Sequence, residues 1–275
     1  MNIYYQWIEW AYSHQVAEFV WNRLWLKKFM SKWVFSFKDI FEKIKNWWIW
    51  IIPIENSYAW SVHQNLYLMK DYDVKIIYEN FFPINHCLCS KENNVSNIKK
   101  VLSHPQWLMQ CENFLKKHNI EPINFSDTAL SAKYVKESNE KWIWAICSEY
   151  ASKIYNLNII YKNINDQKGN TTRFLIITSK TNNIKGLKYT KQSLIFKVKD
   201  QPAILFKCLW AFATRFINLT KIESIPSKDK KFEYMFWIDL ILPNDDKLIK
   251  SAIEELRFFT TEIKDLWKYS LLDVS

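Results

Sequence analysis

The chain has 275 residues, 49% apolar and 24% charged, a balance that excludes disorder and suits one large domain or two ordinary ones. No run approaches the ~18 apolar residues of a membrane helix, since WWIWIIPI (Trp47 to Ile54) is far too short, so no membrane partner is predicted. The net charge of +10 arises from 38 basic residues, only four of them arginine, with the lysines scattered; that pattern predicts no nucleic-acid partner.

Apolar runs alternate with stretches of helical period through residues 1–178, which predicts an α/β fold with largely parallel strands. Strands are predicted at 2–6, 49–53, 74–77, 99–103, 143–147 and 173–178. Ser36 and Asp39 form a capping-box-like start for FKDIFEKIK. Pro105 suits the first turn of a helix through QWLMQCENFLKKH, with Leu108, Cys111 and Leu115 on one face. Ser126 or Asp127 can cap TALSAKYVKE. Residues 179–190, SKTNNIKGLKYT, read as a linker. Beyond it the order strand, helix, strand, strand, helix, strand (191–270) is βαββαβ, the ferredoxin-like arrangement. Its helices carry core stripes at Leu205, Leu209, Phe212 and Phe216, and at Leu248, Ala252, Leu256 and Phe259.

Five scattered cysteines (Cys87, Cys89, Cys111, Cys147, Cys208) have no paired spacing, and no second ligand pair follows His86, Cys87 and Cys89. Free thiols in a reducing compartment are expected, with no metal. MNIYYQWIEW lacks the basic-then-apolar order of an export signal, so the cytoplasm is expected.

Two glycines (Gly169, Gly186) stand against fifteen tryptophans. An average composition would include about 7% glycine, and turns need its positive φ. Tryptophans 10, 47, 48, 50, 60 and 107 sit where glycine is expected. Some bacterial lineages read UGA as glycine, which predicts that most of the fifteen are glycine in the cell; a genuinely tryptophan-rich core is the alternative. Trp237, in FWIDL, is the one most at home as tryptophan.

In open α/β sheets ligands bind beyond the carboxyl ends of strands. Glu55, Asn56 and Ser57 follow the apolar run at such a place. Ser103-His104-Pro105-Gln106, Asp127-Thr128 and Ser148-Glu149 share the context, and backbone N–H groups there favour a carboxylate ligand. Each cluster alone is also ordinary helix capping.

Together with NTTRF these clusters resemble prephenate dehydratase over nearly the whole chain. PIENSYAWSVH, VLSHPQWLMQC, DTALSAKYV, SEYASKIYNL and NTTRFLII follow in the family's order, and YYQWIEWAYSHQVA matches its start if Trp7 and Trp10 are read as glycine. DQPAILFKCLWAFATRFINLTKIESIPSK and FEYMFWIDL resemble the ACT regulatory domain. The resemblance implies a two-lobed, periplasmic-binding-protein-like catalytic domain (1–178, second lobe roughly 78–158) followed by an ACT domain. The implied reaction turns prephenate into phenylpyruvate, water and carbon dioxide without a cofactor, in a homodimer or homotetramer. Thr172 is then the essential threonine, hydrogen-bonding the leaving oxygen, and Arg173 a fork for a carboxylate or a brace of the fold. Glu55 orients its neighbours, or is the acid if burial raises its pKa. Asn56, Ser57, Thr128, Gln106 and Ser148 are the expected substrate ligands, with Thr171 able to share the work of Thr172 and His104 expected to be structural. Phenylalanine is expected at Gln201, Ala203, Ile204, Leu205, Glu223 and Ser224, where two such domains meet. Two departures weaken that expectation: Ala203 replaces a usual glycine, and Ile225 the arginine of the usual ESRP. Arogenate as substrate, or a non-catalytic amino-acid sensor, remain the alternatives.

Overall fold

The computed structural model describes residues 2–6, 11–24, 30–34, 36–42, 49–93, 98–182, 188–227 and 233–272; Trp7, Trp10, Trp47, Trp48 and Gly186 lie outside them. The first lobe runs β1 (Asn2–Gln6), α1 (Tyr12–Arg23), β2 (Met30–Val34), α2 (Phe37–Glu42), β3 (Ile49–Asn56), β4 (Trp60–Ser61), α3 (His63–Asp71) and β5 (Val74–Pro83). A second sheet follows: β6 (Cys87–Ser90), β7 (Lys100–Ser103), α4 (Pro105–Met109), α5 (Glu112–Lys117), β8 (Glu121–Asn124), α6 (Thr128–Glu137), β9 (Ile143–Cys147), α7 (Glu149–Ile154) and β10 (Asn158–Tyr161). The chain returns to the first sheet through β11 (Thr171–Ser179). The C-terminal part is β12 (Lys191–Val198), α8 (Ile204–Ala213), β13 (Leu219–Pro226), β14 (Tyr234–Ile241), α9 (Asp246–Phe259) and β15 (Thr260–Leu271).

The second lobe is a five-stranded sheet in the order β10-β6-β9-β7-β8. The other sheet has ten strands, ordered β13-β14-β12-β15-β5-β11-β3-β1-β2 with β4 hydrogen-bonded to β3. Strand β1 is parallel to β2 and β3, and β7 to β8 and β9, but β11 is antiparallel to both β3 and β5. The expectation of largely parallel strands is therefore corrected to mixed sheets. The physical reason is the return: β5 leaves the first lobe and β11 comes back beside it, with no helical crossover to restore the direction.

Strand β3 passes through Pro53 to Asn56, which its neighbour allows: the register slips between Arg173↔Glu55 and Phe174↔Pro53, leaving Ile54 as the extra residue of a bulge. The predicted capping box forms, with the Asp39 amide donating to Ser36 Oγ at 3.1 Å and the Ser36 amide to Asp39 Oδ2 at 3.0 Å. One helix predicted from Pro105 is two, α4 and α5, because Asp166 accepts from the Asn113 and Phe114 amides and caps a new start; Leu108, Cys111 and Leu115 remain buried together.

In the C-terminal part the four strands lie second-third-first-fourth, with α8 and α9 packed together over one face, as a ferredoxin-like unit requires. Two stripe positions are corrected. Phe216 is 97% exposed because α8 ends at Ala213 and Phe216 sits at φ +53, and Leu248 is exposed while Ile249 takes the inward place. The opposite face of this sheet offers Ile195, Ile225, Met235, Trp237, Leu266 and Tyr269 to Ile54, Leu66, Met69 and Val74 of the first lobe, forming one shared core. Ile225, at the expected arginine position, is fully buried in it. No helix among the described residues is long and apolar enough to cross a membrane.

Candidate active site

Asn56 ends β3 and holds the tight turn after it. Its Oδ1 accepts the amides of Tyr58 (3.0 Å) and Ala59 (2.9 Å), an Asx turn that sends the chain back as β4 before α3 begins. The chain beyond the carboxyl end of β3 is thus a small hairpin before the helix begins. With its oxygen engaged, Asn56 has only its amide N–H groups left to give. They reach Thr172 Oγ1 at 2.9 Å and Asn170 Oδ1 at 2.8 Å. A hydroxyl that accepts through its oxygen still has its own proton to donate.

That pair lies on a cavity of about 310 Å³ between the lobes, lined among others by Ser13, Pro53, His104, Gln106, Trp107 and Gln110. A hydrogen-bond chain continues from its wall: Asn170 Nδ2 donates to Gln110 Oε1 at 2.8 Å, and His86 Nε2 reaches the same oxygen at 2.8 Å. A carbonyl oxygen can only accept, so His86 donates from Nε2. Burial pushes His86 down to about 4, which the Gln110 hydrogen bond offsets only in part, so the ring is neutral near pH 7. His104 caps α4 through Nδ1, and burial also lowers its pKa against the opposing pull of Asp127. Ser13 lies in the first turn of α1, whose N-cap residue, Ala11, has no side-chain oxygen to accept from the first amides. No lysine or arginine is among the described residues of this cavity wall.

Arg173 points the other way. Successive strand residues face opposite sides of a sheet, so with Thr172 at the cavity, Arg173 enters the joint with the C-terminal unit. It is 4% exposed and makes contacts of 3.0 Å to Glu55, 2.6 Å to Asp239, 2.8 Å to Glu79 and 3.0 Å to the Tyr269 hydroxyl. The expectation that it grips a substrate carboxylate is corrected to the alternative, a brace. Burial works to raise the pKa of Glu55, but the Lys221 hydrogen bond and the Arg173 charge outweigh it, so Glu55 is held below the ordinary carboxylate range. It is an ionised carboxylate, not the acid that a raised pKa would make it. Both residues line an adjoining cavity of about 650 Å³ with Ser57, Thr171 and Glu223, which shares Asn56 and Ser61 with the first.

Of the other expected ligands, Gln106 faces the 310 Å³ cavity, whereas Ser57 Oγ accepts the Thr171 amide at 3.0 Å and Thr171 Oγ1 donates to Gly169. Thr128 is buried at the start of α6, and Ser148 Oγ accepts from the Ala151 amide and Gln15 Nε2; neither lines this cavity. Asn170, Gln110 and His86 were given no part at the site: Asn170 and Gln110 lie inside the stretches NTTRFLII and VLSHPQWLMQC without being singled out, and His86 was weighed only as a metal ligand. In the C-terminal unit Gln201 and Ile204 line a cavity of about 770 Å³, and Ala203 sits at φ +56, where glycine is most at ease. Ala203 and Leu205 lie outside that wall, and Glu223 and Ser224 are on β13, so one chain does not gather the six residues into one pocket.

A family model for prephenate dehydratase matches residues 3–182. The chain belongs to the prephenate dehydratase family. It is 39% identical to the prephenate dehydratase of Methanocaldococcus jannaschii over 240 residues, covering 86% of this chain and 87% of that one. It is 36% identical to arogenate dehydratase/prephenate dehydratase 2, chloroplastic, of Arabidopsis thaliana, covering 85% of this chain and 65% of the plant protein, just under two thirds of its length. The fold is shared with the prephenate dehydratase of Arthrobacter aurescens solved in complex with L-Phe, at a TM-score of 0.85 and 22% identity, covering 98% and 90% of the two chains.

Proposed function

We propose that the chain catalyses the decarboxylating dehydration of prephenate to phenylpyruvate in phenylalanine biosynthesis, and that the cavity between its lobes is the site. The observation that carries this is the Asn56–Thr172 pair on the cavity wall at 2.9 Å. As carbon dioxide leaves, the electrons of the broken carbon–carbon bond enter the ring, which becomes aromatic while hydroxide departs and takes up a proton. Aromatisation supplies the driving force, so the protein's part is orientation and help to the leaving oxygen. Thr172 supplies that help by hydrogen-bonding, its own oxygen fixed by Asn56. The hydroxyl is too weak an acid to give up its proton outright, so water within reach of the cavity completes the transfer. The two substrate carboxylates are held by neutral donors, Gln106 and the first-turn amides of α1 among them.

Arogenate loses the same groups, and relatives that carry its name make it the second substrate to assay. We also propose that the C-terminal unit is an ACT domain that binds phenylalanine between two copies of the chain, because Gln201 and Ile204 lie apart from Ser224 within one copy. With Ile225 buried in the core in place of an arginine, its feedback is expected to be weak.

Thr172→Ala removes the hydroxyl and leaves the strand. Turnover, read as phenylpyruvate absorbance, should fall well over tenfold with unchanged circular dichroism; near-normal turnover would refute the assignment.

A further inference from the structure

The cluster around Arg173 is larger than a brace requires, and it reaches the catalytic pair from outside the catalytic lobes. Asp239, on β14, is 1% exposed; besides Arg173 it accepts from Ser193 Oγ at 2.6 Å and from Trp237 Nε1 at 2.6 Å. Tyr269, on β15, bonds both Arg173 and Ser193. Lys191 reaches Glu79 at 2.6 Å, and Lys221 pairs with both Glu55 and Glu223. Glu223 in turn accepts from Ser61 at 2.7 Å and lies 3.2 Å from His63. Apart from Lys191–Glu79, each of these bonds across the joint ends on the cavity wall or at a residue adjoining it: Glu55 adjoins Asn56, Arg173 adjoins Thr172, His63 adjoins Val62, and Ser61 is itself on the wall.

We propose that Arg173 is a positioning residue for the dehydration, set by the C-terminal unit: Asp239 and Tyr269 fix its guanidinium, which fixes Glu55 and the register of β11 against β3, and so the Asn56–Thr172 hydrogen bond. Arg173 touches no substrate. The register shift between β11 and β3 falls at Arg173/Phe174, so the strand pairing beside Thr172 is irregular and needs a side-chain anchor of its own. Buried ionic contacts with several partners tolerate only one arrangement, because a displaced charge there is left unpaired.

This rests on the reading that Thr172 acts at the reacting centre. The test uses the full chain. Asp239→Asn and Tyr269→Phe should each lower kcat about tenfold with KM changed by less than about twofold, the signature of a lost transition-state interaction. Leu256→Ala, in the core under α8 and α9, is the control for general destabilisation and should retain kcat at temperatures where it is folded. If Asp239→Asn does not fold, Tyr269→Phe decides, since it removes one hydroxyl. Unchanged kcat in these variants, a loss confined to KM, or an equal loss in Leu256→Ala would overturn the proposal. If Thr172→Ala is inactive while they match the parent, only the role of Arg173 fails; if Thr172→Ala is active, the reading of the site fails first.

A separate observation concerns the tryptophans. Trp267 sits at φ +81, in the left-handed region, where two residues of β15 (Leu266, Trp267) oppose the single Ser193 in a bulge. That backbone favours glycine. Trp144 and Trp237 are both fully buried on strands, but the Trp237 indole donates to Asp239 whereas the Trp144 Nε1 has no partner. Buried indole N–H groups ordinarily find an acceptor. The geometry assigns glycine to 267 and 144 in the cell that makes this protein, and tryptophan to 237. Peptide mass mapping of natively produced protein should read glycine, glycine and tryptophan at those sites; tryptophan at 267 or 144, or glycine at 237, would overturn it. In recombinant protein Trp267→Gly should raise the melting temperature, and a lowered one counts against the assignment.

Discussion

His86 shows at the scale of one residue how a site is supported by groups that carry no motif. It is buried behind the cavity with Trp107 stacked on it at 4.3 Å and keeps its Nε2 proton on Gln110. Its folded pKa of about 4 lies below the ordinary histidine value, so between about pH 6.5 and 4 the unfolded chain binds the proton and the folded chain does not. Stability from this group is complete above that window and is lost as pH falls through it. In His86→Asn the part of the pH profile due to this group should vanish, so the difference between the two unfolding profiles should amount to roughly 3 kcal/mol across the window. Parallel profiles would show that the ring titrates normally. Asn56 was legible because it follows an apolar run, whereas Thr172 was reached only through the family resemblance of NTTRF. Arg173 was half legible: its rarity marked it, but adjacent strand residues cannot both face one cavity.

At the scale of elements, apolar runs located β1, β3, β7, β9 and β11 within a few residues, because each is buried on both faces and reads as a continuous stretch. Strand β5 was seen only as far as Ile77. Its second half carries Glu79 and Asn80, which look like a loop but are buried, Glu79 between Arg173 and Lys191, and Asn80 donating to the Leu272 carbonyl at 2.7 Å. Polar residues paired across a domain joint are invisible to a pattern that equates burial with apolarity. The capping box at Ser36 was legible because both partners are local. The break between α4 and α5 was not, because its cap, Asp166, arrives from more than fifty residues away.

At the scale of the molecule, the ferredoxin-like unit was legible as a sequence of elements, but its attachment was not. Strand β15 pairs with β5 at Ser270↔Tyr78 and Leu271↔Glu79, so the C-terminal sheet and the first lobe are one hydrogen-bonded surface. Beneath it six apolar residues of the C-terminal unit enter the core of the first lobe. At about 2 kcal/mol for each buried side chain they contribute roughly 12 kcal/mol, as much as the whole net stability of ~5–15 kcal/mol typical of a folded protein. Removing residues 191–275 also strips Arg173 of Asp239 and Tyr269, leaving a buried cation short of partners. The fragment 1–190 should therefore fail to fold, and the first lobe and C-terminal unit of the full chain should unfold together, with tryptophan fluorescence and far-ultraviolet circular dichroism following one coincident urea transition for that body. A soluble fragment 1–190 with native circular dichroism would show that the two halves are merely adjacent, and that the link from Asp239 to Thr172 crosses a joint the molecule can do without.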